Sequence, residues 1–123
     1  MKHSQLSSSF EDYLEAIYML EIEGKPIKSV DIAKMIGVSR PAVNKAMNEL
    51  LKKNYIEKPP YGEITLTDEG REIAKKVYHV HVTIREFLIK IGVNKDIADI
   101  DCCLIEHVIS KETLDAIEKF IKK

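Results

Sequence analysis

The run Gly37-Val38-Ser39-Arg40-Pro41 most constrains what this chain can fold into. Gly37 is a helix stop, Ser39 a helix cap, and Pro41 sits in a first turn, where a missing N–H costs nothing. Two helices must therefore meet across a turn of two or three residues. The upstream helix starts at Ser29, read as its N-cap, and runs through Ile36, with Ala33 small enough for a close helix crossing. The downstream helix continues to about Lys53, with Val43, Ala46, Met47, Leu50 and Leu51 inward. Ahead of both, Phe10 to Glu23 has helical periodicity and ends at Gly24-Lys25-Pro26.

A hairpin follows the helix pair. Tyr55-Ile56-Glu57-Lys58 and Glu63-Ile64-Thr65-Leu66 flank the turn sequence Pro59-Pro60-Tyr61-Gly62. Thr67 then caps a long helix from Asp68 to Ile91. Its seam is Ile73, Val77, Val80, Ile84, Phe87 and Ile91, at three- and four-residue steps. Shorter helices are expected near 94–100, 102–109 and 111–121, the last capped by Ser110. The expected fold is mostly α: a winged helix-turn-helix with a two-stranded wing over residues 1–72, then a helical domain over 73–123.

Charge agrees with this division. The chain carries 19 Lys/Arg and 20 Asp/Glu, but residues 25–76 hold 11 basic against 7 acidic side chains. A basic middle between acidic flanks suits nucleic acid in the middle and a cation at the ends. Met1 to Ser9 is polar and no apolar run approaches ~18 residues, so neither a secretory signal nor a membrane span is expected, and the cytoplasm is the default. The only two cysteines are neighbours, Cys102 and Cys103, which reads as reduced thiols rather than a disulfide framework.

In a helix-turn-helix the helix beginning near Ser39 enters the major groove by its N-terminal end. Arg40 and Asn44 are four apart, as are Pro41 and Lys45, opposite the apolar side. Arg can fork onto guanine, Asn onto adenine, and Lys suits phosphate. The Ser39 hydroxyl can help hold a phosphate, and Lys58 and Tyr61 on the wing are further candidate contacts. The competing interpretation is a solvated helix face on a protein-interaction module.

A second cluster lies in Cys103-Leu104-Ile105-Glu106-His107. On a helix, a thiol, a carboxylate and an imidazole at i, i+3 and i+4 share one face, a donor set suited to a transition metal. Asp12 and Glu15, three apart on the first helix, and His81 on the long helix could add ligands. Taken singly, each has a plain structural explanation: a solvated acidic patch widened by Glu11, a seam histidine, a core cysteine. In combination they point to a metal.

These residues carry a resemblance. The chain is similar to the diphtheria toxin repressor and manganese transport regulator family of metal-dependent repressors, through Glu11-Asp12-Tyr13-Leu14-Glu15-Ala16-Ile17-Tyr18, Val30-Asp31-Ile32-Ala33, Leu66-Thr67-Asp68-Glu69-Gly70, His81 with Phe87-Leu88, and Cys103 to His107 with Val108 and Ser110. The resemblance implies a homodimer on palindromic double-stranded operator DNA, with residues 73–123 serving dimerisation and metal binding. It places Asp12, Glu15, His81, Cys103, Glu106 and His107 on ligand positions.

The pattern is mixed. The Asp12-Glu15 pair matches the manganese branch, whereas Cys103 matches the iron branch. Fe2+ or Mn2+ is expected, with Co2+, Ni2+ or Zn2+ able to substitute. Arg85 stands where an acidic ligand of the iron branch's ancillary site would be wanted, and with Lys123 as the last residue an SH3-like extension is not expected. Two rivals are a metal-independent regulator sensing oxidants through Cys102 or Cys103, and a hydrolytic metalloenzyme with Glu106 as base. The second has no Gly-rich cradle for a substrate, and no enzyme activity is expected.

Overall fold

The computed structural model describes residues 8–60 and 63–123. The chain runs α1 (Ser8–Ile22), α2 (Ser29–Ile36), α3 (Arg40–Lys52), β1 (Ile56–Glu57), β2 (Thr65–Leu66), α4 (Asp68–Lys90), α5 (Lys95–Ile105) and α6 (Lys111–Ile121). It divides into two compact units at Lys75/Lys76, inside α4. Among the described residues no helix is long and apolar enough to cross a membrane.

In the first unit α1, α2 and α3 pack on one another, α1 also meets β2, and α3 meets β1. The core is built from Leu14 and Ile17 of α1, Ile32 of α2, Val43, Met47 and Leu50 of α3, and Ile56 of β1, all essentially inaccessible. Each such side chain contributes roughly 1.5–3 kcal/mol of burial. The turn between α2 and α3 follows its local code. Gly37 takes the left-handed conformation (φ 81°), and the Ser39 hydroxyl accepts the Ala42 N–H at 3.2 Å.

The start of α2 corrects one expectation. Ser29 is its first helical residue; the N-cap is Lys28, in an extended conformation with no side-chain capping bond. The Lys28 carbonyl accepts from the N–H groups of Asp31 and Ile32, so the helical ladder opens one residue earlier than the hydroxyl suggests. The wing is an antiparallel pair, Ile56 opposite Leu66 and Glu57 opposite Thr65. Its strands are shorter than the four-residue runs expected. Tyr61 lies outside the described residues.

The wing is anchored to α4 through Thr67. Its hydroxyl donates to the Asn54 carbonyl (2.8 Å) and accepts from the Gly70 N–H (3.1 Å), while its own N–H donates to the Tyr55 carbonyl (3.1 Å). Arg71, one turn into α4, holds Glu21 of α1 through Nε (3.1 Å) and Nη2 (2.8 Å).

In the second unit Val80 and Ile84 of α4, Cys102 of α5, Ile109 and Leu114 form a smaller core, with Leu88, Ile105 and Ile117 packed against it. The expected α4 seam is confirmed at Val77, Val80 and Ile84. Phe87 instead packs edge-on against Phe120, and Ile91 is exposed beyond the helix end, where Gly92 turns the chain at φ 105°. The helices expected near 94–100 and 102–109 are one, α5. Asn94 caps it by accepting the Asp96 N–H at 2.8 Å, and nothing between Ile100 and Cys102 interrupts it. Ser110 caps α6 as expected, accepting the Thr113 N–H at 3.1 Å.

Candidate metal centre and nucleic-acid face

Because α5 ends at Ile105, only Cys103 of the trio Cys103, Glu106 and His107 lies within a helix. Glu106 is the C-cap and His107 sits in the turn beyond. The second unit nevertheless brings donors together. Glu106 is fully buried, and its Oε1 lies 2.9 Å from His81 Nδ1. A buried carboxylate needs a charged or hydrogen-bonding neighbour, and the imidazole supplies one. Cys103 is exposed, with its Sγ 3.8 Å from the same nitrogen. His107 is partly buried.

Cys102, read from the sequence as a candidate oxidant sensor and not as a metal ligand, is closer still, its Sγ 3.5 Å from His81 Nδ1 and 3.7 Å from Nε2. It follows Ala98 by four residues on the buried face of α5, the position of an ordinary core thiol. Only the packing of α5 against α4 reveals its neighbour, and no sequence signal could have found it. Burial, then the charges of Cys103 and Glu106, push the Cys102 thiol up to about 12. The protein alone therefore holds it protonated, and a cation taken there must displace the proton. Arg85, outside this cluster, pairs with Asp99, and the exposed His79 lies 3.3 Å from Glu118.

In the first unit Asp12 and Glu15 stand three apart on α1, Asp12 partly buried and Glu15 buried. Glu11 is buried as well, so the solvated acidic patch is not what forms. Within the second unit, imidazole, thiol and carboxylate in one cluster make a donor set that fits a divalent transition ion.

The helix face expected to read DNA is exposed throughout: Ser39, Arg40, Pro41, Asn44 and Lys45, with Val43, Ala46, Met47 and Leu50 inward. Asn48, four residues beyond Asn44, extends that face and was not singled out from the sequence. Arg40 also lines a cleft of about 430 Å³ together with Lys28 and Ser29 at the start of α2 and Lys58 and Glu63 of the wing. Three cations against one acid make the cleft suitable for a phosphate backbone. Lys28 was missed because only the fold places the start of α2 beside the wing.

Comparison with known proteins agrees with this geometry. Residues 5–64 match the family model for the iron dependent repressor N-terminal DNA binding domain, and residues 67–123 the iron dependent repressor metal binding and dimerisation domain. An uncharacterized HTH-type transcriptional regulator of Methanocaldococcus jannaschii is 37% identical over 120 residues, covering 96% of each chain. The transcriptional regulator MntR of Salmonella typhimurium is 36% identical over 113 residues, 92% of this chain and 72% of that one. Among solved structures, the manganese regulator SloR superposes with a TM-score of 0.81 at 29% identity, covering 92% of this chain and 53% of SloR. The T. acidophilum IdeR structure gives 0.81 at 27% identity, covering 95% of this chain and 55% of that one. The chain thus spans about half the length of these solved proteins. With a winged DNA-binding unit, a helical unit carrying convergent metal donors, and a family match to each, this chain belongs to the iron-dependent repressor family of metal-dependent transcriptional regulators, which are not enzymes.

Proposed function

We propose that this chain is a cytoplasmic, dimeric repressor that binds palindromic double-stranded operator DNA when loaded with Fe2+ or Mn2+. In this reading residues 1–72 read the DNA and residues 73–123 sense the metal. Asp12 and Glu15 supply ligands from the reader; His81, Cys103, Glu106 and His107 supply them from the sensor. The bound ion supplies a cross-link between the two sets, favouring the arrangement of the winged units that suits DNA. The observation that carries the proposal is the fully buried Glu106 carboxylate beside His81, with thiols within 4 Å of the same ring.

The apolar residues on α5 and in the turn just beyond it support dimerisation. Ile97, Ile100, Leu104 and Val108 recur at three- and four-residue steps, and all are at least 49% exposed. A stripe of this kind on a small unit calls for a partner surface, and a second copy of the same stripe satisfies two-fold symmetry. Two-fold symmetry in turn predicts operator half-sites about one helical turn apart, ~34 Å.

The test is anaerobic operator binding by the purified chain, titrated in parallel with Fe2+, Mn2+, Co2+ and Zn2+. Wild type should bind only with metal, and Asp12→Ala should keep its fold yet lose metal-dependent binding. Unchanged metal dependence in Asp12→Ala refutes the cross-link. Binding that survives a chelator but is lost to peroxide would favour the thiol-sensing rival, acting through the exposed Cys103, since Cys102 is buried.

A further inference from the structure

We infer that Cys102, Cys103 and His81 form a thiolate-rich site of their own for a thiophilic divalent ion such as Zn2+ or Cd2+, independent of the α1 carboxylates. This goes beyond the operator-binding proposal, because it requires only residues of the second unit. The three donor atoms all lie within 4.8 Å of one another. The Cys102 sulfur stands 3.5 and 3.7 Å from the two imidazole nitrogens, and the Cys103 sulfur 3.8 Å from Nδ1.

Those spacings match the chemistry. In a tetrahedral zinc site, with bonds of about 2.3 Å to sulfur and about 2.0 Å to nitrogen, neighbouring S and N donors stand roughly 3.6 Å apart. The sulfur–nitrogen spacings are therefore close to their bound values before any ion arrives. Cys102 is buried in the core while Cys103 faces solvent, which leaves a way in for the ion. Glu106, 2.9 Å from His81 Nδ1, gives the imidazole a carboxylate partner of the kind that orients metal-bound histidines.

Two sulfurs and one nitrogen make a soft donor set. It selects Zn2+ or Cd2+ over Mn2+, which prefers oxygen ligands. Sulfur binds the ion as thiolate, so a proton held on a thiol leaves to solvent as its sulfur takes the ion. With three protein ligands the fourth position stays open to water. An ion held this way would occupy His81 without engaging Asp12 or Glu15, so the chain could bind a thiophilic metal without being switched to its DNA-binding state by the cross-link.

The test uses the full chain, reduced and anaerobic, and reads metal ligation directly. X-ray absorption of the Zn2+ complex should count two sulfur ligands near 2.3 Å, and Co2+ should give a strong sulfur-to-cobalt charge-transfer band. Cys102→Ser should roughly halve that band and weaken Zn2+ in competition with a chromophoric chelator by at least about tenfold. Asp12→Ala should leave band and Zn2+ affinity unchanged while abolishing metal-dependent operator binding, so the two proposals fail separately. One sulfur or none in the wild-type Zn2+ complex overturns the inference. That measurement holds even if Cys102→Ser, at a fully buried position, does not fold.

Discussion

Gly70→Ala is the sharpest test of how the wing is held. Gly70 is the third residue of α4, where helix propensity alone favours alanine by up to ~1 kcal/mol. The tertiary structure reverses that sign. A Cβ at Gly70 would fall well inside contact distance of the Tyr55 carbonyl oxygen and 2.9 Å from its carbonyl carbon. Both are backbone atoms, so no side chain can swing aside. Relief requires the start of α4 to move off the Asn54-Tyr55 segment, breaking the Thr67 N–H bond to Tyr55 and the Thr67 hydroxyl bond to Asn54. Overpacking costs ~1–3 kcal/mol and each lost hydrogen bond about 1 kcal/mol. Less the propensity gain, the net destabilisation is ~2–4 kcal/mol. At a mid-range urea slope of ~2 kcal/mol/M, the unfolding midpoint followed by far-UV circular dichroism should fall by roughly 1–2 M. A midpoint at or above wild type would refute the reasoning, since it would mean that the close approach exerts no force.

Two further predictions concern binding surfaces. Lys28→Ala and Arg40→Ala should each weaken operator binding with metal affinity intact, and for Lys28 the salt slope of log K should fall by about 1. If Lys28→Ala leaves affinity and slope unchanged, the cleft between α2 and the wing is not a phosphate contact. Leu104→Glu, at a residue 68% exposed on α5, should shift the chain from dimer to monomer in sedimentation without unfolding it. A variant that stays dimeric would move the interface off that stripe.

Much of the first unit was legible because its signals are local. Ser39 reaches the Ala42 N–H and Thr67 the Gly70 N–H across three residues, and Gly37 supplies the left-handed turn. Such contacts are decided by sequence neighbours whatever the rest of the chain does. Local rules also misled. The Ser29 hydroxyl looked like a cap, but the backbone carbonyl of Lys28 opens the helix. Likewise Cys103, Glu106 and His107 looked like one helical face, yet α5 ends before Glu106.

By itself, then, the sequence determined the order of helices, the wing, the exposed polar face of α3 and the presence of transition-metal donor types, because periodicity and capping act within a few positions. Tertiary structure alone decided that Lys28 joins Arg40 and Lys58 around one cleft, and that Gly70 must lack a side chain. It also decided which donors surround His81. Cys102 and Glu106 lie 21 and 25 residues from His81, and only the packing of α4 against α5 and the turn beyond brings sulfur and carboxylate to one imidazole. Convergence over such separations depends on which faces of two helices bury each other, a property of the assembled core that no short window of residues contains.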